Sequence, residues 1–224
     1  QYVHSLTHEM KSPLAAIRGS AELLENADGD APMADADRTR FASSIRRQAD
    51  RLAQMIDKLL ALAAVEHRQR LEARDRIDVQ VLLQEAAEQC ESRLAQAGVE
   101  LRWPRETHAQ VVGDAFLLRQ ALVNLIDNAA DFSPTGSAID VQITATGTHT
   151  RIEVADRGSG VPDYALPRVF ERFYSLPRPE GGSRSSGLGL CFVAEVAALH
   201  GGDARLGNRA GGGAVAVLEL PAAG

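Results

Sequence analysis

The chain has 224 residues, 45% hydrophobic and 24% charged, which suits one or two globular domains. Its net charge of −6 argues against nucleic acid or an anionic membrane surface as a partner, and no apolar run predicts a transmembrane helix or a signal peptide. Cys90 and Cys191 lie too far apart to indicate a disulfide framework or a zinc site. The first predicted helix has no cap, so we expect the chain to be part of a longer protein.

Two long amphipathic helices are predicted first, over residues 1–26 and from about Asp35 onward, with a loop over 26–32. In both helices apolar residues recur at alternating steps of three and four, the spacing of packed helices. The two seams consist of Val3, Leu6, Met10, Pro13, Ile17, Ser20 and Leu24, and of Phe41, Ile45, Gln48, Leu52, Met55, Leu59 and Leu62. Because a lone hairpin buries little surface, we predict that two copies pair into a four-helix bundle.

His8 lies on the first predicted helix, away from its apolar seam. At about 100° per residue it points toward solvent, with Glu9 beside it and Ser12 one turn further along the same face. A carboxylate that holds the proton on one imidazole nitrogen leaves the other nitrogen free to attack, so the pattern suits a nucleophilic histidine. A solvated surface histidine is the plainer alternative, and His4 competes for the same role.

The chain changes character at the charged segment 66–76, of which residues 69–76 are predicted to be a linker. The predicted elements after it are helices over 79–97, 114–131 and 187–200 and strands over 99–103, 109–112, 139–145, 151–155, 204–206 and 214–220. This order predicts an α+β layer sandwich over residues 77–224, with helices on one face of a mixed sheet.

The predicted helix 114–131 carries a polar stripe opposite its apolar face. Asn124, Asp127, Asn128 and Asp131 are spaced i, i+3, i+4 and i+7. Asparagine side chains offer carbonyl oxygens to a hard cation and amide groups to phosphate. An ordinary solvated face is the alternative.

Two glycine-containing segments are candidates for contact with a ligand. Asp156 follows a predicted strand as a buried acceptor, and Gly158 and Gly160 allow the backbone to approach a ligand closely. A simple tight turn is the alternative there. Gly187 and Gly189 open a predicted helix whose first amides can bind an anion, and the stretch 175–185 before it is a predicted lid.

The order and spacing of these motifs resemble the catalytic core of sensor histidine kinases, the two-component signalling family. The similar segments are 8–14 for the H box, 124–128 for the N box, 156–160 for the G1 box, 170–174 for the F box and 187–189 for the G2 box. The resemblance covers essentially the whole chain. It implies a dimerisation and histidine-phosphotransfer hairpin over 1–68, followed by an ATP-binding domain of the Bergerat type.

The resemblance also implies the activity and its residues. His8 would accept a phosphoryl group from ATP and pass it to an aspartate on the receiver domain of a response regulator, and the homodimer would also act as a phosphatase on that regulator. The implied catalytic residues are His8, Glu9, Ser12 and Arg172. The implied cofactor-binding residues are Asn124, Asn128, Phe132, Asp156, Gly158, Gly160, Gly187 and Gly189, with Asn128 as the Mg²⁺ ligand.

Asp131 departs from the family pattern, which often has Lys or Arg at this position near the phosphates. A carboxylate close to the triphosphate would oppose its binding, with Arg172, Arg178 and Arg184 as candidate compensating cations. The alternative is that Asp131 turns outward or pairs with a lid arginine such as Arg184 and has a structural role. With Asp131 and the segment 3–8, the chain is similar to the carbon-source-responsive inner-membrane sensor kinases. That resemblance implies a cytoplasmic fragment of a protein anchored in the bacterial inner membrane.

Other classes share part of these features. Chaperone, mismatch-repair and topoisomerase ATPases contain the same nucleotide pocket but lack an H box on a preceding hairpin. A non-catalytic dimeric scaffold and a module that acts mainly as a phosphatase are the remaining alternatives.

Overall fold

The computed structural model describes residues 2–26, 33–68, 71, 74–177 and 185–223, with side chains from residue 10 onward. The chain forms two compact units, Gln1–Ala61 and Leu62–Gly224. Among the described helices, none combines the length and the apolar character needed to span a bilayer.

Two long helices begin the chain, α1 (Tyr2–Glu25) and α2 (Asp35–Glu66), as the apolar spacing predicts. α1 continues through Pro13, which is buried on the predicted seam. In α2 the seam residue Met55 is only 2% exposed, whereas Leu60, off the seam, is 64% exposed. The seam therefore marks the side of the helix that packs within the chain.

Among its described residues, the second unit contains three further α-helices, a short 3-10 helix (Leu166–Arg168) and seven strands. The α-helices and strands are β1 (Asp75–Asp78), α3 (Val79–Ala97), β2 (Glu100–Arg102), β3 (Gln110–Gly113), α4 (Ala115–Phe132), β4 (Ala138–Ala145), β5 (His149–Ala155), α5 (Gly189–Leu199), β6 (Asp203–Asn208) and β7 (Ala214–Pro221). Every predicted helix and strand of this unit is present. β1 was not predicted, and it occupies the end of the charged segment assigned to the linker.

Five strands form one mixed sheet in the order β2-β4-β5-β7-β6. β2 pairs with β4 in parallel and the other neighbours are antiparallel, while β1 and β3 form a separate antiparallel ladder. Adjacent helices pack against each other, α3 on α4 and α4 on α5. The predicted α+β layer sandwich with a mixed sheet is confirmed.

α4 is the central helix of this layer. The carboxylate of Asp114 caps it by accepting a hydrogen bond from the Leu117 amide at 3.1 Å. Its apolar face is fully buried, with Leu118 and Leu122 at 0% exposure, as are Ile139 and Ile152 on the sheet. Burial of side chains of this size stabilises the fold by about 1.5–3 kcal/mol each, and it fixes which face of α4 carries the polar stripe.

Candidate functional site

Asn124 lies on the polar stripe of α4 but is 7% exposed, so it is not part of an ordinary solvated face. Asn128, one turn further along, is half-buried. A Cβ atom on Gly189 would lie 3.3 Å from the Asn124 side-chain oxygen, so the glycine allows the start of α5 to approach Asn124 closely. The N box and the G2 box are therefore in contact.

The F box also meets the G2 box at the start of α5. The Phe173 amide donates a hydrogen bond to the Gly187 carbonyl at 2.9 Å, and both residues have positive φ, 61° and 64°. A Cβ atom on Gly187 would lie 2.5 Å from the Phe173 carbonyl carbon. Leu188 precedes α5 without a side-chain cap, so the first amides of the helix remain suited to an anion.

Asp156 is buried as predicted, with 6% exposure. Its Oδ1 accepts hydrogen bonds from the amides of Gly158 at 2.8 Å and of Ala214 at 3.0 Å. Gly213 provides room for this arrangement, since a Cβ atom there would lie 2.2 Å from the Asp156 carbonyl oxygen. With one oxygen fixed by two backbone amides, the carboxylate has a defined orientation, which leaves Oδ2 as its second acceptor.

The glycines of the G1 box meet neighbouring elements at two points. A Cβ atom on Gly158 would lie 2.3 Å from the carbonyl oxygen of Phe132, the last residue of α4. Gly160 has φ +76°, and its Cβ would lie 2.7 Å from the Asn208 side-chain oxygen. The loop therefore packs on the end of α4, which makes the simple-turn alternative insufficient.

Asn208, at the end of β6, is a site residue that the sequence reasoning missed. Its Oδ1 accepts a hydrogen bond from the Val161 amide at 2.7 Å, and its Nδ2 donates to the Val161 carbonyl at 2.8 Å. These two hydrogen bonds fix the loop after Gly160, although Asn208 and Val161 are 47 residues apart in the sequence. The only signal for Asn208 in the sequence is its position before the glycine-rich turn 211–213. That position does not indicate that Asn208 binds Val161.

Arg172 forms ion pairs with two carboxylates. One is Glu66 in the last turn of α2, and the other is Glu195 of α5 at 4.0 Å. The arginine side chain is 28% exposed and that of Glu66 is 22% exposed. Neither glutamate was singled out from the sequence, because their proximity depends on the tertiary fold.

Asp131 does not behave as expected. Its side chain is 9% exposed and forms an ion pair with Arg93 of α3. Arg93 was not among the three candidate cations, of which Arg178 and Arg184 lie outside the described residues. The neighbouring helix neutralises this carboxylate, because the parallel packing of α3 and α4 brings residues 93 and 131 together.

Asp127, another residue of the polar stripe, also lies on the side of α4 that packs on α3. It lies against Cys90, and burial, followed by the proximity of Asp127, raises the pKa of the Cys90 thiol to about 12. Burial likewise raises the pKa of Cys191 to about 11. Both thiols therefore stay protonated at neutral pH and serve as packing groups.

The phosphoacceptor candidates belong to the first unit. His8 and Glu9 lie within α1, while their side chains are outside those described. Ser12 is exposed, as its predicted position on the outer face requires. Residues 178–184 of the predicted lid are likewise outside the described residues.

The chain matches two family models in the order that the motifs predict. Residues 1–68 match the His Kinase A (phospho-acceptor) domain, and residues 113–224 match the histidine kinase-, DNA gyrase B-, and HSP90-like ATPase domain. The chain belongs to the sensor histidine kinases. The phospho-acceptor match separates this kinase core from the chaperone, mismatch-repair and topoisomerase ATPases considered above.

Known relatives agree with this membership. The sensor protein CreC of Escherichia coli K12 is 44% identical over 98% of this chain and 45% of its own length. Full-length ShkA, solved in complex with AMPPNP, is 28% identical with a TM-score of 0.68, covering 99% of this chain and 46% of ShkA. The ThkA structure with response regulator protein TrrA, 18% identical, shares the fold with a TM-score of 0.78 over 99% of this chain and 61% of that one. The chain spans about half the length of the curated relatives it matches.

Proposed function

We propose that this kinase core uses ATP to phosphorylate His8, passes the phosphoryl group to an aspartate of a response regulator, and also dephosphorylates that regulator. The observation that carries the proposal is the frame around Asp156. One carboxylate oxygen is fixed by two amides, in a loop that packs on the end of α4. That frame and the phospho-acceptor domain lie in one chain.

The described residues suit ATP at both of its ends. Asp156 would accept a hydrogen bond from the adenine amino group, in a pocket shaped by Gly158, Gly160 and Phe132. Asn124 and the uncapped amides after Gly187 and Gly189 would bind the phosphates. The ShkA relative is known in complex with AMPPNP, an analogue of ATP.

Asn128 would hold Mg²⁺ through its amide oxygen, half-buried one turn from Asn124. When bound, the ion would neutralise charge on the phosphates. Phosphoryl transfer depends mainly on positioning and charge neutralisation, which these side chains and Arg172 would provide.

His8 would attack through one ring nitrogen, and Glu9 would hold or take the proton on the other ring nitrogen. The exposed hydroxyl of Ser12, one turn along α1, would orient water during dephosphorylation of the regulator. The nucleophile and the nucleotide residues belong to different compact units. We therefore propose that residues 69–76 act as the linker between hairpin 1–68 and domain 77–224.

We further propose that the hairpin forms a four-helix bundle as a homodimer, and that the longer protein is anchored in the bacterial inner membrane. Exposed apolar side chains on the hairpin support the dimer. These are Leu14, Leu23, Ile56 and Leu60. The ThkA structure of the same fold holds the response regulator TrrA, and the partner proposed here is a receiver domain.

Replacement of the two N-terminal histidines tests the reaction. His8→Gln should abolish labelling of the protein by γ-labelled ATP and Mg²⁺ while nucleotide binding is retained, whereas His4→Gln should still be labelled. The label should be lost in acid and stable in base. Labelling that survives in His8→Gln and is lost in His4→Gln would exchange the two roles, and release of free phosphate alone would indicate an ATPase.

A further inference from the structure

The Arg172 guanidinium is shared between the end of α2 and α5. It pairs with Glu66, whose Oε1 is buried, and it lies 4.0 Å from Glu195. A buried carboxylate oxygen is costly without a counter-charge, so Glu66 depends on this arginine. One cation thus serves two carboxylates.

Glu66 is held in a well-packed part of α2. Leu62 and Val65, in the same last turn, are each 3% exposed. Arg68, just beyond the helix, pairs with Asp114 at the cap of α4 at 3.1 Å. These contacts hold the backbone at the end of α2 in place. The position of Glu66 is therefore fixed by the packing of this helix end.

Arg172 is joined directly to the backbone that frames the nucleotide site. The next residue, Phe173, has positive φ and donates its amide hydrogen to Gly187, two residues before α5 begins. A guanidinium at this point can serve phosphate oxygens or carboxylates, since it binds both through the same N–H groups. In this structure its partners include the two carboxylates.

We propose that Glu66 is a positioning residue that competes with the nucleotide phosphates for Arg172. The inference rests on the proposed binding of ATP. Nucleotide that engages Arg172 must displace it from Glu66, so binding loosens the end of α2, and the position of α2 in turn sets nucleotide affinity. The two effects are reciprocal because Glu66 and the phosphates compete for the same guanidinium, so that each weakens the binding of the other by the same free energy.

Titration of AMPPNP with Mg²⁺ into the 224-residue protein and its variants tests the competition without turnover. Glu66→Gln keeps the size of the side chain and removes its charge, so it should tighten binding about fivefold. In an Arg172→Gln background the same substitution should give no gain. Hydrogen exchange should report a second consequence, faster exchange in residues 62–66 of the wild-type protein when nucleotide is added.

Glu85→Gln is the control, because Glu85 of α3 pairs with Arg119 of α4 at 2.6 Å, and the Arg119 side chain is 26% exposed, close to the 28% of Arg172. It should leave affinity unchanged. If Glu66→Gln melts well below the wild type, Glu66→Asp, which keeps the charge at a shorter reach, should give an intermediate gain. Equal or weaker binding by the Glu66 variants, or a gain that persists without Arg172, would overturn the competition. Absence of binding by the wild-type protein would instead contradict the proposed function.

Discussion

At the scale of single residues, Asp131 illustrates how a departure from a family pattern is accommodated. From the sequence, its charge was expected to oppose bound phosphates if it lay near them. The fold instead gives it Arg93 as a partner and leaves it 9% exposed. Sequence reasoning identified the unusual residue but not the partner, because residues 93 and 131 meet only when α3 and α4 pack in parallel.

Asp131→Lys is therefore expected to destabilise the second unit rather than tighten nucleotide binding. The substitution places an ammonium group against Arg93 and removes the counter-charge of a pair in which only the carboxylate is buried. Because the Arg93 side chain is 41% exposed, we expect a loss of about 2 kcal/mol in the free energy of unfolding, below the cost for a fully buried pair. Urea unfolding followed by circular dichroism measures it.

Arg93→Glu combined with Asp131→Lys restores an ion pair with reversed signs and provides the matched control. The double variant should recover at least half of the lost stability. A single Asp131→Lys variant of unchanged stability that binds nucleotide more tightly would show that the carboxylate acts on the phosphates after all.

At the scale of elements, the sequence predicts helices better than short strands. The bounds of α3, Val79–Ala97, agree with the prediction because an Asp cap precedes the helix and a glycine in the left-handed region follows it. β1 was missed because Asp75-Arg76-Ile77-Asp78 has a single buried side chain, Ile77, and no apolar alternation to detect. Its strand character comes from pairing with β3, whose partner residues lie 32 to 38 positions further along the chain.

The sequence singled out the N, G1, F and G2 residues, since glycine and asparagine types at fixed spacing are local signals, and their roles in a nucleotide site stay predictions. It missed the groups that fix those residues from elsewhere, such as Asn208, Glu66 and Gly213. Each of these three residues acts through a contact with a segment that is distant in the sequence. A single sequence does not contain that information in its periodicity.

The end of α5 contains a buried histidine that links three elements. His200 is 6% exposed, accepts a hydrogen bond from the Asp114 amide at Nε2 (3.0 Å) and contacts the Val196 carbonyl through Nδ1 (2.7 Å). Gly113 leaves room for the ring, since a Cβ atom there would lie 2.2 Å from His200 Cδ2. The neutral ring with its proton on Nδ1 satisfies both contacts.

Burial lowers the pKa of His200, although the Val196 carbonyl and Asp114 act in the opposite direction. The unfolded chain, with an ordinary histidine pKa near 6.5, therefore binds this proton more readily than the folded chain. Its contribution to stability is present above about pH 6.5 and is lost as the pH falls below that value. We expect the unfolding midpoint of the second unit to decrease from pH 7.5 to 5.5.

His200→Gln removes the titrating group and should flatten this part of the pH profile, even if it lowers the midpoint at pH 7.5. His149→Gln replaces an exposed histidine on β5 and should leave the profile as in the wild type. Thermal unfolding at several pH values compares the three proteins. An unchanged slope in His200→Gln would assign the dependence to other groups.

At the scale of the whole molecule, the two units differ in how completely they bury apolar side chains. The second unit has a continuous core between its sheet and helices, whereas the hairpin exposes several large apolar residues. Leu60, for example, is 64% exposed on α2. A helical hairpin with such a surface is expected to complete its core with a second copy.

Leu60→Glu should therefore shift the protein from dimer to monomer, because a carboxylate buried in the bundle without a counter-charge costs more than 1.4 kcal/mol and thus weakens association more than tenfold. Phe116→Glu is the matched control. Phe116 is 61% exposed on α4 of the second unit, so its replacement adds the same charge at a similarly exposed apolar position outside the hairpin. Sedimentation equilibrium over a range of concentrations measures both. Dissociation by Phe116→Glu with an intact Leu60→Glu dimer would place the dimer contact on the second unit instead of the hairpin.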